Sequence, residues 1–275
     1  PTESDMEEQM KNATVASLEE LQKQNFDFNA QDSNGNTPLF YLLTRNPNRE
    51  VAQKAIDLGA DVNTPNKAGI LPINISTSKA NEVQLQIIMM QAMGLDLNDP
   101  EVQEKVQEKL FHEMERMFQM AQMLIANGAD VNREGALGTP LMNAATNAWN
   151  YEIAKMLIEK GADVNLTDKK GVSPLMRAAK THRLNLVVYL TQNGADANAL
   201  DCRGFNALVY AAENIPYTRE AEKLRQLVIV SLIDAAKPKC KCHDNGKGKH
   251  KSASAKEDEI PNIRAAFAKR MQGRA

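Results

Sequence analysis

The 275-residue sequence predicts an all-α solenoid, a stack of helix-turn-helix units with turn fingers projecting outward. Three observations carry that prediction. The phrase GADVN stands at Gly59–Asn63, Gly128–Asn132 and Gly161–Asn165, and GADAN stands at Gly194–Asn198. The last two intervals are 33 residues each and the first is 69, and a fixed period of this size marks a stacked repeat. A second phrase recurs downstream of the glycines, as Asn36-Thr37-Pro38-Leu39, Gly138-Thr139-Pro140-Leu141 and Val172-Ser173-Pro174-Leu175. Alanine pairs then follow at Ala144–Ala145, Ala178–Ala179 and Ala211–Ala212, where small side chains let one short helix lie close against the next.

Each part of the unit has a physical reading. Met156, Leu157 and Ile158 precede Gly161, and Val187, Val188 and Leu190 precede Gly194, so each glycine follows an apolar helical run. A glycine just past a helix end takes the left-handed conformation without a Cβ clash. Asp and Asn behind it bond neighbouring backbone and turn the chain, which makes them structural. Thr or Ser then caps the next helix, and Pro fills its first turn, where no N–H is missed.

In chain order, Leu18 and Leu21 read as the outer helix of an N-terminal capping half-repeat over residues 1–29. Asn25–Asn29 and Gly94–Asn98 read as degenerate copies of the GADVN phrase. The array then runs over 30–236, with repeats near 30–63, 64–98, 99–132, 133–165, 166–198 and 199–236, the unit at 99–132 being degenerate. After Asp99-Pro100 neither Gly nor Pro occurs until Gly128, and apolar residues from Val102 to Ile125 recur at helical spacing. One helix of that length spans roughly 40 Å, so its first half is expected to project or to pack against Val83–Met93. Seven of the 13 methionines fall here: Met89, Met90, Met93, Met114, Met117, Met120 and Met123. Flexible thioethers suit an adaptable interface, but an apolar stripe on a helix more often faces a core, and the core reading is preferred.

The pairing of TPL-type helix starts with GADVN-type helix ends resembles the ankyrin repeat. Residues 166–198 carry the likeness most fully, from Asp168 and Gly171 through Pro174, Leu175, Ala178 and Ala179 to Gly194, and the likeness extends over roughly residues 14 to 236. It implies an ankyrin-repeat α-solenoid with one atypical repeat built on a long helix. The family usually carries His behind the TPL phrase, bonding between turns. Phe40, Asn74, Met142, Met176 and Val209 stand there instead, so looser stacking is expected.

Composition and motifs point away from several other classes. No 18-residue apolar run and no basic-then-apolar leader is found, and three cysteines form no disulfide framework, so a cytoplasmic protein is expected. No Gly-rich phosphate loop and no Gly-x-Ser-x-Gly elbow occurs, and the four histidines form no catalytic pattern. His182 is expected in an exposed loop between helices. Cys240, Cys242, His243 and His250 are poorly spaced for zinc. Neither catalysis, metal nor cofactor is expected. Residues 237–275 carry eight Lys and three Arg against four acidic residues, a net of +7, which leaves about −9 on residues 1–236. That basic tail is expected to be largely disordered. Its end places Ile260, Ile263, Phe267 and Met271 on one face of an amphipathic helix over 260–275.

The resemblance implies a protein-protein interaction scaffold that holds its partner on a concave face of turn tips and inner helices. Carried onto this sequence, that stripe includes Lys67 and Ile70, Lys79, Lys169 and Lys170, Lys180 and Thr181, and Arg203 and Phe205. Its lysines and arginine give a basic bias, so a protein partner with an acidic surface is expected. Phe205 and Trp149, the only tryptophan, are the candidate aromatic anchors. Two alternatives share this surface: a bacterial effector delivered into a host cell, with the tail as transport signal, and an inhibitor that occupies an enzyme's surface.

Overall fold

Helices alternate between two layers in the computed structural model, which describes residues 3–46, 48–78, 99–146, 150–213 and 219–236. In order they are α1 (Glu3–Lys11), α2 (Val15–Lys23), α3 (Pro38–Arg45), α4 (Arg49–Asp57), α5 (Pro72–Ser78), α6 (Pro100–Ala126), α7 (Pro140–Thr146), α8 (Tyr151–Glu159), α9 (Pro174–Lys180), α10 (Leu184–Gln192), α11 (Ala207–Glu213) and α12 (Arg219–Ala236). The odd-numbered helices pack in sequence against one another as an inner layer, and the even-numbered helices form the outer layer. The expected tail over 237–275, with its helix over 260–275, and the segment Val83–Met93 lie outside the described residues.

Caps set where helices begin. Thr37 and Ser173 accept the N–H of Phe40 and Met176 through their hydroxyls, with Pro38 and Pro174 in the first turn. Gly59, Gly128, Gly161 and Gly194 end the outer helices at φ of 101°, 87°, 91° and 90°. Behind each, an alanine N–H returns into the helix, as from Ala60 to the Ala55 carbonyl. Asn25, at φ 57°, does the same job at the end of α2, since Asn tolerates the left-handed region better than other non-glycine residues.

The capping unit is larger than the expected half-repeat. Helix α1 joins the inner layer beside α3, with Met6 and Met10 buried, so α1 and α2 form a full helix pair. Asn46 fastens it by donating from Nδ2 to the carbonyls of Met10 and Ala13.

The asparagines of the GADVN phrases build a ladder down the stack. Asn29 donates to the Gly59 carbonyl at 2.8 Å and accepts the Asp61 N–H at 2.7 Å. Asn63 makes the same pair of bonds to Gly128 and Asp130, Asn132 to Gly161 and Asp163, and Asn165 to Gly194 and Asp196. Each side chain thus reads the turn of the following unit.

This ladder corrects the division of residues 64–132 into two repeats. Asn63 bonds directly to the turn at Gly128 and Asp130. The proposed rung at Gly94–Asn98 lies outside the described residues. Helix α5 pairs with α6 across the insertion, and the last turns of α6 occupy the outer-helix position before Gly128. Residues 64–132 are therefore one expanded unit.

Helix α6 is continuous over 27 residues, as expected. Met117, Met120 and Met123 are buried with Ala121 and Leu124, which supports the core reading for these methionines. Toward the other end Phe111 is 64% exposed. Met89, Met90 and Met93 lie outside the described residues.

Candidate binding surface

Five fingers connect the units, each closed by a backbone bond: Asp32 N–H to Asn36, Asn66 to Ile70, Gly135 to Gly138, Asp168 to Val172 and Asp201 to Phe205. Glycines at φ between 75° and 94° complete them, at Gly35, Gly69, Gly138, Gly171 and Gly204. Neighbouring fingers are tied through main chain. Lys67 N–H donates to the Asn34 carbonyl at 2.9 Å, Ala136 to Gly69 at 2.8 Å, and Cys202 to Lys170 at 2.9 Å. These bonds hold the row together where the expected histidine is missing, so the absence of that side chain does not leave the fingers unlinked.

Three fingers share an anchor that the sequence reading missed. The finger aspartate accepts from the residue nine positions later on the inner helix: Asp32 from the Tyr41 hydroxyl, Asp168 from Arg177 Nη2 at 3.0 Å, and Asp201 from the Tyr210 hydroxyl at 2.8 Å. Burial pushes the Asp201 carboxyl up. The N–H groups of Phe205 and Arg203, the Tyr210 hydroxyl and the Arg203 guanidinium outweigh that push and hold its pKa well below the usual carboxylate range. Asp32 and Asp168 are lowered in the same way. Burial opposes the shift, and backbone N–H groups with Tyr41 or Arg177 carry it. The signal was in the sequence, as an aspartate with Tyr or Arg at a fixed nine-residue offset.

The finger at Gly135–Gly138 lacks both the aspartate and one residue, since its closing bond spans three positions where the others span four. Arg177 compensates from the next unit. Its Nη1 donates to the Leu137 carbonyl at 2.9 Å while Nη2 holds Asp168. No side chain fits at Gly135, where a Cβ would lie 2.5 Å from Asn74 Oδ1 and 2.9 Å from the Gly69 carbonyl oxygen.

The expected stripe divides once side chains are placed. Lys169 and Lys170 are exposed on one finger, and Lys180 is exposed at the end of α9. Lys67 is exposed too, with its ammonium donating to the Ser33 carbonyl of the preceding finger at 2.9 Å. Arg203 is held by Asp201 and by the Tyr210 hydroxyl, and its guanidinium stacks 4.5 Å from the Phe205 ring centroid. Phe205 and Ile70 are half-buried against the core. Thr181 donates its hydroxyl to the Arg177 carbonyl at 3.0 Å. Ile70, Thr181, Arg203 and Phe205 thus have direct work within the fold, and Phe205 is half-buried beside the Arg203 guanidinium. Lys79 and Trp149 lie outside the described residues.

His182 also differs from expectation. It is half-buried at φ 54°, and its Nε2–H donates to the Ala211 carbonyl of the next inner helix at 3.1 Å. Among the described residues no group of three or more His, Cys, Asp or Glu is placed to hold a metal ion. No described helix is long and apolar enough to cross a membrane.

Comparison with known proteins agrees with this geometry. A family model described as ankyrin repeats (3 copies) matches residues 83–168 and 141–235. No curated protein matches by sequence. Among solved structures, the chain is similar to one in the complex of a predatory endopeptidase from Bdellovibrio bacteriovorus with an immunity protein. The identity is 20% and the TM-score 0.58, over 85% of this chain and 99% of that one. At this identity the likeness speaks for the fold.

Proposed function

This chain belongs to the ankyrin-repeat family, and we propose that it is a protein-binding adaptor whose partner presents an acidic surface to the fingers and inner-helix ends. The observation that carries the reading is the placement of Lys169, Lys170 and Lys180. They are exposed on a finger and inner helix whose own geometry is fixed by Asp168, Arg177 and the Cys202–Lys170 bond. A rigid mount loses little entropy on binding, and exposed lysines on it attract an acidic surface in a way that salt screens. Catalysis has no part in this reading.

The test is a pull-down with the full chain as bait, followed by titration of the captured partner across a salt series. The combined variant Lys169→Ala, Lys170→Ala, Lys180→Ala is expected to weaken binding at least tenfold at low salt and to flatten the salt dependence. Unchanged affinity and slope would overturn the assigned face.

A second reading is favoured by the structural neighbour, which comes from a complex between an endopeptidase and an immunity protein. On that reading the same face blocks an enzyme. It differs from an adaptor in what the captured partner loses, so the partner's activity with and without the chain separates the two.

A further inference from the structure

We infer that the array contains a built-in opening seam between the α5–α6 pair and the α7–α8 pair, which divides it into two blocks that open independently. Among the described residues, four buried side-chain polar atoms have no hydrogen-bond partner, and three belong to the helices that meet here: Asn74 Nδ2 on α5, Asn143 Nδ2 on α7 and Asn150 Oδ1 at the start of α8. Asn74 and Asn150 are wholly buried. An unpaired polar group in a dry interior favours any state that lets water reach it, and each such atom shifts the opening equilibrium on the order of tenfold.

The surrounding helices point the same way. Helix α5 buries Asn74, Ser76 and Thr77 beside Ile73 and Ile75, where α3 buries Leu39, Leu42 and Leu43 and α9 buries Leu175, Met176 and an alanine pair. Buried polar side chains are therefore mixed with the apolar ones on this helix to a degree not seen on α3 or α9. On the outer layer a cleft of about 600 Å³ separates α6 from α8, with Phe118, Ile125 and Met156 among its lining and Glu152, Lys155 and Glu159 beside them. The finger that crosses this boundary is one of the two without the aspartate anchor, and the shorter of them. The polar bonds across the seam are a short list: Asn132 with Gly161 and Asp163, Ala136 with Gly69, and Asn150 Nδ2 with the Thr77 carbonyl. Unmet buried polar groups beside an open cleft are the composition of a low-stability boundary.

The chain itself supplies the remedies that test this. Asn74 Oδ1 accepts the Leu71 N–H at the start of α5. At the equivalent place in α2, Ser17 Oγ accepts the Thr14 N–H and donates to the Thr14 carbonyl. In α9, Met176 Sδ accepts the Ser173 N–H. Asn74→Ser and Asn74→Met each keep an acceptor for Leu71 and remove the stranded amide.

Native-state hydrogen exchange of the full chain, read by mass spectrometry at low denaturant, tests the seam. Peptides from α3–α4 and peptides from α8–α10 are expected to exchange through separate openings with different denaturant dependences. The boundary should fall between residues 126 and 140. At least one of the two Asn74 variants is expected to slow exchange in α7 and α8 by about tenfold. A single opening shared by both blocks, or a boundary elsewhere, would overturn the proposal. So would two folded variants that leave exchange in α7 and α8 unchanged.

Discussion

Asp201 shows how one side chain fixes a finger. It accepts N–H groups from Arg203 and Phe205, the Tyr210 hydroxyl and the Arg203 guanidinium, so its charged form is favoured in the folded chain. Asp32 and Asp168 are lowered by similar sets of donors. A carboxyl whose folded pKa lies below its unfolded value, near 3.9 for Asp, stabilises the fold fully above that value. That contribution is lost as pH falls toward the folded pKa. Stability is therefore expected to hold from neutral pH to about 5 and to decline steeply below about 4. Asp201→Asn should lower the thermal midpoint at pH 7 and make the acid decline shallower, because two such carboxylates remain. Thermal melts followed by circular dichroism between pH 3 and 7 check this, and parallel curves for the two proteins would contradict the assignment. None of this was legible from the GADVN and TPL phrases. It depends on a nine-residue offset that brings side chains together only when the finger folds back over the inner helix.

At the scale of elements, α6 contains two different helices in one. Its C-terminal turns bury Met117, Met120, Ala121, Met123 and Leu124, while Phe111 stands open to solvent. Leu124→Ala should cost about 2–5 kcal/mol, the range for emptying a packed leucine site. Phe111→Ala should change stability by less than about 0.5 kcal/mol, as surface substitutions usually do. Urea titration measures both, and a comparable loss at the two positions would contradict this division. The helix itself was legible, since Asp99-Pro100 and the uninterrupted run to Asn127 announce its start and length. Its place in the stack was not. Gly94 offered a rung at nearly the right interval, and only the bond partners of Asn63 show which glycine the preceding unit engages. The full helix pair at the N-terminus escaped for a related reason: Met6 and Met10 are spaced like a helix face, yet no phrase introduces them.

For the whole molecule, stability in a linear stack is approximately a sum of units and of the contacts between neighbours. The fold was legible because a period survives substitution of single residues. The candidate surface was legible only in part. Lys169, Lys170 and Lys180 stand exposed as the family pattern implies, while Arg203 and Phe205 are occupied by each other. Position in a repeat indicates the side of the array, whereas a side chain's freedom depends on which neighbour is long enough to reach it. The expanded unit places 36 residues more than the 33-residue spacing between Gly59 and Gly128. Lengthening a loop costs only about 0.6 kcal/mol per doubling. The rung from Asn63 to Gly128 has a consequence for how such a protein changes over time. A chain that registers its units by side-chain bonds, rather than by counting residues, can accept a long insert at one joint while every other joint keeps its geometry. New surface can then be added to one unit without renegotiating the rest.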